Sequence, residues 1–165
     1  MCENGCILKQ MVKPFTKINR QDHIYAFEKR KAGVLVLCGD KILLTQSYNK
    51  FWGIPKGHVE PFDLSVKECA ERELKEETGL EVVLKDEDLY KIPMGNCYIY
   101  KICLDSMDMV NLDNLLYLDS SGIGWVNYNC AFKLNLNQLT RKLLIDLDTD
   151  SLEPNISDSD GLRPS

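Results

Sequence analysis

The chain has 165 residues, of which 44% are hydrophobic, and its net charge is −5. That length suits one domain with a sound core, and the acidic balance argues against a dedicated nucleic-acid binder, which is usually basic. No signal peptide is recognisable and no apolar run approaches the roughly 18 residues of a membrane span, so the sequence predicts a soluble cytoplasmic protein without a membrane partner.

Residues 1–22 are polar and weakly patterned, and they predict an amino-terminal arm that is partly ordered on the domain. Its basic side chains are Lys9, Lys13, Lys17 and Arg20. An arm of this charge is suited to neutralising the phosphates of RNA. RNA is therefore one partner that the sequence leaves open.

Three apolar or alternating runs follow the arm, and each is typical of a β-strand. They cover residues 23–28, 32–38 and 41–45. Gly39 and Asp40 predict a tight turn, so residues 32–46 are expected to form a β-hairpin. The basic triplet at 29–31 is typical of a solvated strand end, and contact with phosphate is the alternative.

The next element is a helix that begins after Ser65. Ser65 and Glu68 have the spacing of a capping box, and Leu64 and Cys69 stand at the positions of a hydrophobic staple. Gly79 is placed to end the helix in a left-handed conformation.

The faces of this helix carry an unusual arrangement of charge. At the helical period the apolar residues form one narrow stripe, made of Val66, Ala70 and Leu74. Three acids fall beside the stripe rather than on the solvated face: Glu73, Glu76 and Glu77. Glu73 and Glu77 repel each other by about a few tenths of a kcal/mol, and acids in the last turn oppose the helix dipole. A run of surface glutamates is the ordinary interpretation, but this convergence beside the core favours a bound Mg²⁺ or Mn²⁺ ion.

The same residues resemble the signature of the Nudix hydrolases, G-x5-E-x7-R-E-U-x-E-E-x-G-U, in which U is aliphatic. The matching residues, within the box at 57–80, are Gly57, Arg72, Glu73, Leu74, Glu76, Glu77, Gly79 and Leu80. The loop after Gly57 is one residue longer than the pattern, and Phe62-Asp63-Leu64 replaces its glycine–glutamate end. Asp63 is expected to take the place of the missing glutamate, which in the family holds the arginine.

The resemblance implies roles for the residues in and around the box. The metal ligands would be Glu73, Glu77 and Glu76, with the Gly57 carbonyl as a further ligand. Glu76 is also a candidate general base, and Arg72 would orient the carboxylates. The substrate-binding residues would be Lys56, His58 and Glu60, from the run PKGHVEP, which is similar to that of diadenosine tetraphosphate hydrolases.

The remaining elements predict an α/β fold. Further strands are expected at 81–84, 97–104 and 123–126, with a strand end at 117–119, and a second amphipathic helix at 135–147. Strands on both sides of the box helix, together with this closing helix, predict an α/β/α sandwich around a mixed sheet, as the resemblance also implies. The Nudix domain would span 23–147, and residues 148–165 have the composition of a disordered acidic tail.

Asp119 is a further candidate for the active site. Members of the family often place an acid beyond the box, shortly before a core tryptophan, and Asp119 precedes Trp125 by six residues. The resemblance implies that it faces the metal ions as a ligand or as the base. A turn residue is the alternative, because Asp before Ser-Ser-Gly is ordinary turn chemistry.

The seven cysteines are expected to be reduced. None forms a C-x-x-C pair, and with only two histidines the sequence shows no zinc-ligand spacing. Most lie in apolar runs, where a small reduced thiol packs well.

The function that the resemblance implies is hydrolysis of a phosphoanhydride, with Mg²⁺ or Mn²⁺, in a nucleoside diphosphate linked to another group. Nucleotide polyphosphates and dinucleoside polyphosphates are the expected substrates. Removal of an mRNA cap or of a 5′ pyrophosphate from RNA is one alternative. A domain that binds a nucleotide without catalysis is another, although the intact acids argue against it.

Overall fold

The described part of the chain forms a mixed sheet of eight strands with a helix packed on each face. The computed structural model describes residues 2–12, 29–48, 50–92 and 96–158, and for 149–158 it describes the backbone only. The layers form the predicted α/β/α sandwich. The strand predicted at 23–28 lies outside the described residues.

The strands, in chain order, are β1 (Ile7–Gln10), β2 (Lys31–Cys38), β3 (Lys41–Gln46), β4 (Trp52–Gly53), β5 (Lys56–His58), β6 (Leu89–Lys91), β7 (Cys97–Cys103) and β8 (Gly122–Asn127). Their order across the sheet is β1-β8-β3-β2-β7-β6, with β4 beside β3 and β5 beside β2. Strands β2 and β7 run parallel, and the other pairs are antiparallel. The helices are α1 (Val66–Thr78), α2 (Tyr128–Ala131) and α3 (Gln138–Asp158), and short 3₁₀ helices cover Asp86–Asp88, Met107–Met109 and Leu112–Tyr117.

Strand β2 shows how the sequence builds a core on each face of the sheet. Val34 and Val36 pack in the cluster that contains α1, whereas Leu35 packs in the cluster that contains α3. This follows because successive side chains of a strand point to opposite faces. All three are fully buried. The central strand is therefore apolar on both faces and holds the two helical layers together.

The ends of α1 are capped largely as the sequence predicts. The Ser65 hydroxyl accepts from the Glu68 N–H at 3.1 Å, and the Glu68 carboxylate accepts from the Leu64 N–H at 2.9 Å, one residue earlier than in the usual box. Gly79 has φ +80° and donates to the Lys75 carbonyl at 2.8 Å, which confirms the left-handed cap. Leu64 is 88% exposed, so the predicted staple is wrong.

Two of the predicted strands are wrong, and the hairpin at 32–46 and the strands at 97–104 and 123–126 are confirmed. Within the described range 50–92, residues 81–84 form neither helix nor strand. The Leu84 N–H donates instead to the Glu71 carboxylate at 2.7 Å, and the Leu84 side chain is buried. This segment therefore packs back on α1 rather than joining the sheet. At 117–119 a 3₁₀ helix ends where a strand end was predicted.

The two ends of the chain form regular elements that the sequence does not define. Part of the predicted arm forms β1, which pairs with β8 at the edge of the sheet. All four residues of β1 are exposed, so no alternation of apolar and polar residues marks it as a strand. Helix α3 continues to Asp158, where composition predicted disorder from 148. A packed helix extends readily because each further residue adds one hydrogen bond. No helix in the described part of the chain is long and apolar enough to cross a membrane.

Candidate active site

A carboxylate on the loop before α1 fixes Arg72. The arginine donates from Nε and Nη2 to the two Asp63 oxygens, at 2.9 and 2.8 Å, and Asp63 also accepts from the Glu60 N–H at 2.8 Å. The Asp63 side chain is 1% exposed. Burial acts to raise the pKa of Asp63, but the bonds from Arg72, the bond from the Glu60 N–H and the charge of Arg72 together outweigh it and leave that pKa below its ordinary value. The expectation that Asp63 holds Arg72 is confirmed.

Arg72 also reaches the acids of α1. Its Nη1 donates to Glu73 at 3.0 Å and to both Glu76 oxygens at 3.2 Å, while Nη2 donates to the His58 carbonyl at 3.1 Å. The guanidinium carbon lies 5.0 Å from the centre of the Phe62 ring. One guanidinium therefore links the loop, β5 and two of the helix acids, and it fixes the orientation of their carboxylates.

Glu73 and Glu77 form the least solvated part of the acid cluster. The Glu73 side chain is 12% exposed, and its burial, opposed by the charge of Arg72 and reinforced by that of Glu76, raises its pKa to about 7. Burial and then the charge of Glu73 raise the pKa of Glu77 well above its ordinary value, although the Thr45 hydroxyl donates to Glu77 at 3.0 Å. The single arginine leaves these two carboxylates short of positive charge.

Gly57 lies directly against the Glu73 carboxylate. A Cβ at position 57 would come within 2.2 Å of the carboxyl carbon and of one carboxylate oxygen. The backbone of β5 can approach the acid this closely only because the residue has no side chain. The Gly57 carbonyl also accepts from the Cys69 thiol of α1, at 3.7 Å.

The donor atoms of this cluster fit a hard divalent cation. The carboxylates of Glu73, Glu76 and Glu77 and the nearby carbonyl of Gly57 offer oxygen only, which Mg²⁺ and Mn²⁺ prefer. A cation there would supply the charge that Arg72 alone does not, and it would relieve the repulsion within α1. The ligand roles of these four residues remain predictions.

A cavity lined by three lysines lies beside β5, the strand that also carries Gly57. Its volume is about 390 Å³, and its lining residues are Lys29, Lys31, Lys56, Asn96, Cys97, Asn137 and Leu139. The charge of Lys56 acts to lower the pKa of Glu77, although burial and the charge of Glu73 outweigh it. Because β2 pairs with β5, with Lys31 opposite His58, the basic triplet is brought to Lys56. Sequence spacing alone does not reveal this pairing.

The other predicted site residues contact the cluster through the main chain. His58 accepts from Arg72 with its carbonyl, and Glu60 donates to Asp63 with its N–H. The Asp119 N–H donates to the Glu76 carbonyl at 2.9 Å, and Asp119 itself is exposed to solvent. The following Ser120 hydroxyl donates to a carbonyl in the same turn of α1, that of Glu77, at 3.1 Å. This loop satisfies the free carbonyls at the helix end and keeps Asp119 beside Glu76.

Comparisons with known proteins agree with this geometry. A family model described as NUDIX domain matches residues 28–101. The chain is 57% identical over 147 residues to "Putative hydrolase 111R" of Invertebrate iridescent virus 3, covering 88% of this chain and 87% of that protein.

Two solved structures have a similar fold at low sequence identity. One is a C. elegans Ap4A hydrolase binary complex, with a TM-score of 0.55 and 21% identity over 73% of this chain and 95% of that one. The other is the NUDIX domain of Shewanella oneidensis NrtR complexed with ADP ribose, with a TM-score of 0.58 and 15% identity over 82% of this chain and 99% of that one. At such identities the likeness shows the fold alone.

Proposed function

The chain belongs to the Nudix family of hydrolases, which act on pyrophosphate bonds, and we propose that it cleaves a nucleoside diphosphate linked to a further group. The metal would be Mg²⁺ or Mn²⁺, held by Glu73, Glu76 and Glu77 with the Gly57 carbonyl. Nucleotide polyphosphates and dinucleoside polyphosphates are the substrates that fit this description.

The observation that carries the proposal is that one strand, β5, serves both the acid cluster and the lysine cavity: Gly57 lies against Glu73, and Lys56, the residue before it, lines the cavity. Lys29 and Lys31 line the same cavity, and the charge of Lys56 acts to lower the pKa of Glu77. A substrate with several phosphates can therefore place one phosphate at the acids and another among the ammonium groups. The structural neighbours add support, because Ap4A and ADP ribose both contain a nucleoside diphosphate joined to a further group.

Each residue of the site has a task that follows from its contacts. A bound divalent cation would neutralise charge on the phosphate oxygens and lower the pKa of a water molecule. Asp63 fixes Arg72, and Arg72 holds the carboxylates of Glu73 and Glu76 in one orientation before substrate arrives. Lys56 would stabilise the negative charge of the transferring phosphates from the cavity side.

Two carboxylates are candidates for the general base. Glu76 is the most exposed acid of the cluster, at 43% of its side chain, so it can exchange a proton with solvent. Asp119 is kept beside it by the bond to the Glu76 carbonyl. If Asp119 is the base, Asp119→Asn lowers kcat much more than it changes KM and removes the acidic limb of the pH–rate profile. A normal profile in that variant assigns the base role to Glu76.

The test of the proposed function is hydrolysis of a panel of substrates. The panel contains nucleoside triphosphates, dinucleoside polyphosphates, ADP ribose and capped RNA, each with Mg²⁺ or Mn²⁺, and the readout is the nucleotide product. We expect cleavage of the small nucleotides, at least a tenfold loss in Glu77→Gln, and no change in the matched surface variant Glu87→Gln. Equal activity in all three proteins would contradict the proposal.

Capped RNA in the panel tests the alternative substrate. Of the basic residues in the predicted arm, Lys9 forms an ion pair with Asp113 at 3.3 Å, and Lys13, Lys17 and Arg20 lie outside the described residues. The described part of the arm therefore offers RNA one basic side chain, Lys9, and the small nucleotides remain the substrates that we propose. Cleavage of capped RNA with a steep salt dependence, and none of the small nucleotides, would reverse that choice.

A further inference from the structure

A second group of ligating atoms lies outside the acid cluster, where the start of the chain meets the end of β8. The sulfur atoms of Cys2, Cys6 and Cys130 all lie within 4.8 Å of one another, and those of Cys2 and Cys130 are 3.3 Å apart. All three are free thiols. Three cysteines from two distant parts of the chain therefore converge on one point.

The fold brings these cysteines together through the pairing of β1 with β8. Ile7 lies opposite Trp125, so Cys6 lies beside the last residues of β8, and its sulfur accepts from the Asn127 N–H at 3.2 Å. Helix α2 follows β8 without a break and carries Cys130. Two of the three thiols are thus fixed by the sheet itself.

A turn at Gly5 brings the Cys2 thiol close to those of Cys6 and Cys130. Gly5 has φ +80°, a left-handed conformation that favours glycine, and its N–H donates to the Cys2 carbonyl at 3.2 Å. Asn4, within this turn, donates from its side chain to the Cys130 sulfur at 3.1 Å and from its N–H to the Cys2 sulfur at 3.4 Å. N–H donors directed at sulfur orient and stabilise thiolate ligands.

We propose that Cys2, Cys6 and Cys130 bind a zinc ion, with the fourth position left to a water molecule or another small ligand. Tetrahedral zinc with Zn–S bonds of about 2.3 Å places its sulfur ligands about 3.8 Å apart, and the three sulfurs already lie at separations of this order. A disulfide would join two of the thiols and leave the third unused, whereas a soft-ligand metal site uses all three.

The proposed site differs from the expectation that the cysteines show no zinc-ligand spacing. Cys2 and Cys6 are four apart in sequence, within the range of zinc-binding pairs, but the third ligand comes from the far end of the domain. The Lys41 Nζ, which is paired with Asp40 at 2.7 Å, lies beside the same turn, 3.4 Å from the position that a Cβ on Gly5 would take. Zinc would tie the first residues of the chain to the corner between β8 and α2.

The test is a cobalt titration of the reduced full chain in excess Mg²⁺, which occupies the oxygen ligands of the acid cluster. Thiolate ligands give cobalt an intense near-ultraviolet charge-transfer absorption that carboxylates do not give. We expect this absorption to saturate at one equivalent and to disappear when zinc is added. It should be at least tenfold weaker in Cys130→Ser and in Cys2→Ser, and unchanged in the matched surface variant Cys103→Ser.

Circular dichroism checks that each variant is folded. Cys2 lies outside every described helix and strand, so we expect Cys2→Ser to fold even if Cys130→Ser does not. Two results would overturn the proposal. One is the absence of thiolate absorption when cobalt is added to the reduced wild-type protein. This result counts against the proposal also where mass spectrometry finds a Cys2–Cys130 disulfide before reduction. The other is an equal absorption in the folded Cys2→Ser and Cys130→Ser variants. Neither result bears on hydrolysis at the acid cluster.

Discussion

Helices α1 and α3 cover opposite faces of the same sheet, and they are built in different ways. Helix α3 buries Leu143 and Leu144 completely, and none of the charged side chains described in it is buried. Helix α1 buries Leu74 as well, but beside that stripe it holds two poorly solvated carboxylates, Glu73 and Glu77. The face of α3 therefore contributes stability, and the face of α1 gives up stability to concentrate negative charge.

The largest effect should come from the apolar face. Leu143→Ala removes a fully buried side chain and should lower the free energy of unfolding by about 4 kcal/mol, while kcat measured well below the melting temperature stays near that of the wild type. Urea unfolding measures the first quantity. The control is Ile145→Ala in the same helix, where the side chain is 53% exposed. An equal loss in both variants would contradict the packing described for α3.

A smaller loss is expected on the charged face. Asp63→Ala leaves Arg72 without its buried partner and should lower the free energy of unfolding by about 3 kcal/mol. It should also lower kcat, because the arginine no longer fixes Glu73 and Glu76. The matched control is Asp86→Ala, which breaks an ion pair that is 94% exposed on the Asp86 side and should change the free energy of unfolding far less. A stable, fully active Asp63→Ala variant would contradict the role given to this pair.

The pH dependence of stability should separate the two faces in metal-free protein. Burial raises the pKa of Glu73 from 4.5 to about 7, and the pKa of Glu77 moves in the same direction. Between these pH values the folded protein binds more protons than the unfolded chain, so the free energy of unfolding falls as pH rises. In Glu77→Gln this fall should be smaller, and in Leu143→Ala it should be unchanged. Urea unfolding in EDTA at several pH values measures this dependence. An equal fall of the free energy of unfolding with pH in the wild type and in Glu77→Gln would contradict the account.

The smallest effect is expected at the end of α3. Among the side chains that the structure describes, the last that packs on its core cluster is Leu147, and the residues beyond it are rich in Ser and Asp. A chain that ends at Asp148 should therefore melt within about one or two degrees of the full chain and keep its activity. A drop of many degrees would show that the residues after 148 contribute to the fold.

The sequence predicts the acid-bearing face of α1 better than the segments that connect the helices and strands. The period of α1 and its caps are local features that spacing alone reveals, and the resemblance to the Nudix signature adds Gly57. The strand expected at 81–84 is wrong because Leu84 packs on α1 through the Glu71 carboxylate, a contact that no local pattern encodes. Strand β1 has exposed side chains and shows no apolar pattern.

Residues that meet only in the folded chain are also beyond a local pattern. The lysine cavity depends on the pairing of β2 with β5, which brings Lys31 near Lys56. The thiol group depends on the pairing of β1 with β8, which brings Cys6 near Cys130. In both cases the residue types are ordinary in the sequence, and the chemistry appears only when two distant strands lie side by side.

The central claim is that the acids of α1 hold a divalent cation, and direct measurement of Mn²⁺ binding tests it. Mn²⁺ is a hard ion that prefers carboxylates to thiols, so titration followed by electron paramagnetic resonance reports on this cluster. We predict binding to the wild type and to Glu87→Gln with the same Kd, and at least tenfold weaker binding to Glu73→Gln and Glu77→Gln. Unchanged Mn²⁺ affinity in both helix variants would contradict the claim.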